Sequence, residues 1–184
     1  MASWRACQVS ALEMHRILKK LQGGDLRSKG RSEEVVEDVL KNPDLFAILF
    51  NGMLHDDPVI RMRAADAMEK IARQRANLLQ PFKKRLIDEV AKIEQQEVRW
   101  HVAQMFSCLE LTKVERGKVA AILHEYLQDK SSIVKTFAMQ ALADLARQDE
   151  TVKRKVVPLL RKLTETGSPA MQSRGRKLLA ELAD

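Results

Sequence analysis

The sequence predicts an all-α fold, a right-handed α-solenoid of about four helix pairs with an N-terminal helical cap. The first observation is an internal repeat. VIRMRAADAMEKIA from Val59, EVRWHVAQMFSCLE from Glu97, IVKTFAMQALADLA from Ile133 and AMQSRGRKLLAELA from Ala170 align with starts 38, 36 and 37 residues apart. A fixed period of that size marks stacked helix pairs. The second observation is the pattern inside the repeat, whose apolar positions fall at i, i+4, i+7, i+8 and i+11, one face of an α-helix. The third is composition: 45% hydrophobic residues with only 4% aromatics suits helices packed through Leu, Ala and Met.

Residues 1–32 read as an N-terminal helix and a flexible polar linker. Ser10 to Gln22 forms an amphipathic pattern with Leu12, Ile17, Leu18 and Leu21 on one side, and Gly23-Gly24 ends it. GGDLRSKGRS then carries the chain to Ser32, which is placed to cap EEVVEDVLK, a short helix with an acidic first turn. These helices are expected to shield the open end of the stack, because a solenoid needs terminal caps.

The repeat array spans residues 33–184, with helix pairs at about 43–75, 81–111, 115–147 and 152–184. The second helix of each pair contributes the columns Ile60/Val98/Val134/Met171, Ala64/Val102/Ala138/Gly175, Ala67/Met105/Ala141/Leu178, Met68/Phe106/Leu142/Leu179 and Ile71/Leu109/Leu145/Leu182. Every member is apolar or small. The first helix contributes Ile48/Leu86/Ile122/Leu159, Leu49/Ile87/Leu123/Leu160 and Gly52/Val90/Tyr126/Leu163.

Punctuation follows the same period. Asp57-Pro58 and Ser168-Pro169 place a capping side chain before a proline at the first helical position, where its missing N–H is not needed. Asn42-Pro43 and Gln80-Pro81 predict two first helices that start in register. Pro158 falls inside VVPLLRKL and predicts a kink. Column Ala65/Ala103/Met139 ends in Arg176, and Asp66/Gln104/Gln140 ends in Lys177, so nothing is expected to stack beyond the fourth pair and the chain reads as complete there.

Over about residues 43–184 the chain resembles the HEAT-repeat (armadillo-like) proteins. The resemblance rests on Ile60-Arg61, Val98-Arg99 and Val134-Lys135, each opening a second helix, and on AADAM, VAQMF and AMQAL after them. The fourth copy departs with Met171-Gln172. HEAT arrays serve transport, scaffolding, cofactor attachment and DNA repair alike, so the resemblance speaks to fold. It implies that the second helices line a concave face. Their opening turns carry Met62, Arg63, Trp100, His101, Phe137 and Arg174, the candidate partner-binding residues. Trp100 and Phe137 either line a groove for a peptide or a nucleic acid, or fold back between adjacent helices.

The reading is a non-catalytic protein–protein binding or scaffold module, in a cytoplasmic protein whose oligomeric state is open. The alternative is a nucleic-acid-binding module, favoured by a net charge of +7 and the clusters KKRL, KRK and RGRK, although the charge is spread along the chain. In that alternative Arg61, Arg99 and Lys135 contact phosphates. Their ordinary role would be to pair with an acid in a preceding loop or a neighbouring repeat, as Asp57 suggests for Arg61. HEAT-like DNA glycosylases supply a third reading from Arg99, Trp100 and His101, set back by Gln104, Ser107 and Cys108 where an acid is needed.

No glycine-rich phosphate loop, GxSxG, HExxH or Cys-x-x-Cys is present, so no enzyme activity, cofactor or metal is expected. His15, His55, His101 and His124 stand in separate segments without a second ligand at helical spacing. Cys7 and Cys108 read as reduced thiols. No apolar run reaches membrane length, and MASWRACQVS has no signal-peptide core, so no membrane contact is expected.

Overall fold

The computed structural model describes residues 14–183, and all regular structure among them is helical. The α-helices are α1 (Arg16–Lys19), α2 (Ser32–Lys41), α3 (Phe46–Gly52), α4 (Pro58–Gln74), α5 (Ala76–Leu79), α6 (Lys83–Asp88), α7 (Gln96–Phe106), α8 (Lys113–Tyr126), α9 (Ser132–Gln148), α10 (Glu150–Thr166) and α11 (Pro169–Ala183). Short 3-10 turns occupy Pro43–Leu45, Gln80–Phe82 and Val90–Lys92. None of the described helices is long and apolar enough to cross a membrane. Trp4, Cys7 and Leu12 lie outside the described residues.

Local chemistry explains most of the boundaries. The Asp57 carboxylate accepts from the Val59 N–H at 2.8 Å ahead of Pro58, and α4 starts there. Thr112 and Glu115 form a reciprocal capping box at α8, and the bond from Lys83, helped by the box, holds the Glu115 carboxyl down to about 2. Asp149 caps α10 through the Thr151 N–H at 2.9 Å, so this helix begins two residues earlier than the repeat spacing predicts and continues through Pro158.

Three expectations are corrected. Among the described residues, the helix read from Ser10 to Gln22 is only the single turn α1, capped by the His15 imidazole, although Ile17, Leu18 and Leu21 are buried as expected. The helix expected to start at Pro81 is instead a 3-10 turn around Pro81, the short α6 and a second 3-10 turn, with α5 ending just before it. Proline supplies no N–H and disfavours helical geometry in the residue before it, so a continuous helix across Gln80-Pro81 is costly. Ser32 does not cap α2; it is fully buried and donates its hydroxyl to Asp66 of α4 at 2.7 Å.

Five of the helices touch in succession: α2 packs on α4, α4 on α7, α7 on α9 and α9 on α11. Helix α10 packs on both α9 and α11, and α8 packs on α9. Of the five columns of apolar residues on α4, α7 with the turn after it, α9 and α11, every member is buried except the half-buried Leu179. At roughly 25 cal/mol per Å² of apolar surface removed from water, this continuous seam is the main stabilising term. Gly175 shows how closely it packs, because a Cβ there would run into the Thr164 hydroxyl of α10. Tyr126 donates its buried hydroxyl to the Ala91 carbonyl at 2.8 Å, joining α8 to the turn before α7. Arg176 and Lys177 are exposed at the α11 edge, whereas Ala65, Ala103 and Met139 are buried.

Candidate binding cleft

Because α4, α7 and α9 lie side by side, the opening turns of their sequences meet at one cleft of about 420 Å3. Its apolar wall comes from Met62, Trp100 and Phe137, and its polar wall from Asp66, Glu69, Lys70, Arg73, His101 and Gln104. Met62 is buried, while Trp100 and Phe137 are half-buried, each packed in part against the core and in part lining the cleft. The rings of Trp100 and His101 stand 5.7 Å apart and tilted by 58°.

The third wall is the segment 26–29, held in place by Arg63, a residue expected to face a partner. Arg63 is only 3% exposed. Its Nη1 donates to the carbonyls of Leu21 at 2.9 Å and Gln22 at 3.1 Å, its Nε to Ser28 at 2.9 Å and its Nη2 to Asp25 at 3.4 Å. The segment read as a flexible linker is thus wrapped around one guanidinium, whose fork of donors matches a ring of carbonyls. Gly30 makes the wrap close: its φ is +53°, and a Cβ there would lie 2.6 Å from Arg63 Nη1.

Charge in the floor is paired. Asp66 accepts from Ser32 and from Lys70 at 2.8 Å; burial raises its pKa, but these bonds outweigh burial and hold it below its ordinary value. Lys70 also reaches Glu33 of α2, and its pKa rises because its two carboxylates outweigh burial. Glu69 is 2% exposed and accepts from Arg73 Nη2 at 2.9 Å. His101 sits between the two carboxylates, its Nε2 4.0 Å from Asp66 and its Nδ1 3.9 Å from Glu69, both too far for hydrogen bonds. Burial drives its pKa down to about 4 against the pull of Asp66, helped by the charges of Lys70, Arg73 and Lys29. It is neutral at neutral pH, and its buried Nδ1 has no hydrogen-bond partner.

Of the sequence candidates, Met62, Trp100, His101 and Phe137 come together here. Arg63 acts from behind the cleft. Arg174 does not line it; it donates to Gln140 at 2.6 Å farther along the stack. Arg61 donates to Gln95 at 3.0 Å and to the carbonyls of His55 and Asp56, while Asp57, its expected partner, is engaged as a cap. Arg99 donates to Asp129 at 2.7 Å and to the Ile93 carbonyl, and lies 5.2 Å over the Tyr126 ring. Lys135 lines a separate groove with Lys130 and Lys162.

Sequence reading missed the acids. It sought one in the turns of α7 after Trp100, whereas Asp66 and Glu69 come from the neighbouring α4. A charged residue inside the Ala-rich run AADAMEK was the available signal. Among the described residues, no group of three or more His, Cys, Asp and Glu side chains is arranged to hold a metal ion. Cys108 is half-buried, with its thiol pKa raised by burial, and it lines a different hollow beside Pro81. No protein-family model matches the chain, and no curated protein matches it either.

Proposed function

We propose that this chain is a non-catalytic, intracellular protein-binding module of HEAT-like design, a right-handed α-solenoid whose helix pairs present the α4–α7–α9 cleft to a partner. The solenoid reading is supported by the succession of second-helix contacts and by the buried columns that repeat with the period of the sequence. The binding reading rests on one observation above others: Trp100 and Phe137 each leave part of an aromatic ring on the cleft wall, where a solvated face would be polar. Aromatic side chains held by a packed scaffold lose little entropy on binding and are favoured as interface anchors. Lys70 and Arg73 are taken up by Asp66 and Glu69, so the cleft lacks the row of free cations that a phosphate backbone needs, which favours a protein partner.

The test is capture of partners from the source cell by the parent protein and by a Trp100→Ser/Phe137→Ser variant. The variant should keep its helical circular dichroism and lose the captured protein. Unchanged capture would place the binding face elsewhere. Capture of nucleic acid with a steep salt dependence would promote the nucleic-acid reading instead.

A further inference from the structure

Taking the cleft as the binding face, we infer that its occupant is an acidic peptide segment that inserts one large apolar side chain between Trp100 and Phe137. The apolar half of this assignment follows from the wall. Met62, Trp100 and Phe137 form it, and Leu26, 41% exposed, adds apolar surface from the segment 26–29. An apolar side chain entering against that wall removes apolar surface of both partners from water.

The acidic half follows from where charge is left over. Both floor carboxylates already have a cation one turn along α4, Asp66 with Lys70 and Glu69 with Arg73. Arg27 and Lys29 are exposed at the mouth on the segment clamped by Arg63, and among the described residues neither side chain makes an ion pair or a hydrogen bond. Lys29 is close enough for its charge to be felt at His101 in the floor. The cleft therefore offers two unmatched positive charges beside an apolar wall. Partner carboxylates flanking the anchor would complete them, and like charge would exclude basic segments.

A nucleic acid fits less well. Two free cations would neutralise about two phosphates, for a salt slope of only about −2, too shallow to carry tight binding.

Replacing Trp4 by Phe leaves Trp100 as the sole tryptophan and makes its fluorescence the readout. The probes are three end-capped peptides of equal length: acidic with a central leucine, basic with a central leucine, and acidic with a central serine. A single-stranded oligothymidylate is the fourth. The acidic leucine peptide should shift the Trp100 emission to the blue and bind at least about tenfold tighter than the other three. In an Arg27→Glu/Lys29→Glu variant, which alters exposed side chains only, the preference should invert toward the basic leucine peptide. Equal binding of acidic and basic peptides, a preference that survives charge reversal, or tightest binding of oligothymidylate would each overturn the inference. Absence of binding by any probe would overturn it too. The protein-binding reading fails separately, if capture from the cell survives loss of Trp100 and Phe137.

Discussion

The guanidinium of Arg63 donates to the carbonyl of Leu21 at 2.9 Å across 42 positions of sequence, and both residues are buried. That bond, with its three companions to Gln22, Asp25 and Ser28, makes a polar N-terminal segment part of the cleft wall.

Removing the clamp should loosen the wall before it loosens the fold. Arg63→Ala leaves the freed carbonyls to water and is expected to cost about 1–3 kcal/mol in denaturant unfolding. Hydrogen exchange over residues 21–30 should accelerate, and trypsin should cut after Arg27 and Lys29 ahead of other sites. A variant with parent-like protection in this segment would show that the segment is held without Arg63.

Phe106 is 1% exposed at the last position of α7. Its replacement by Ala removes most of a buried ring from a wall that cannot fully collapse, and about 3–5 kcal/mol of stability should be lost. A loss below about 1 kcal/mol in chemical denaturation would contradict the register of the buried columns.

Gly175 tests the opposite error, overpacking. The Thr164 hydroxyl, which donates to the Leu160 carbonyl at 2.6 Å, occupies the space that a Cβ at Gly175 would need. Gly175→Ala should cost about 1–3 kcal/mol despite its better helix propensity. Combining it with Thr164→Ala should restore part of the loss, giving a double-mutant coupling of at least about 0.5 kcal/mol. Strictly additive effects would mean that α10 and α11 are farther apart.

His101 makes stability depend on pH. Its folded pKa, about 4, lies below the ordinary 6.5, so the unfolded chain takes up the proton first as pH falls. The stabilising contribution is therefore fully present above about pH 6.5 and is lost on descending toward pH 4. It amounts to about 2–3 kcal/mol across that window. His101→Asn should flatten the stability profile between those limits. Imidazole carbon shifts that titrate near 6.5 in the folded protein would refute the burial argument.

The succession of helices could be read from the chain because each repeat carries its own instructions. Apolar residues at helical spacing must find a common interior, and Asp57-Pro58 ends the competing conformations locally. That is why the columns from Ile60 to Leu182 were legible, and why Trp100 and Phe137 could be placed together on one face. Other features depend on groups far apart in sequence. The fate of Arg63 was set by a ring of carbonyls that forms only when residues 21–28 fold over α4. Asp66 and Glu69 became neighbours of His101 because α4 and α7 stack, and Arg61 and Arg99 were drawn into loops rather than a ladder. A periodic pattern decides which face is buried, since burial depends on averaged hydrophobicity. Which polar group meets which partner depends on distances of about 3 Å that exist only after the helices have packed.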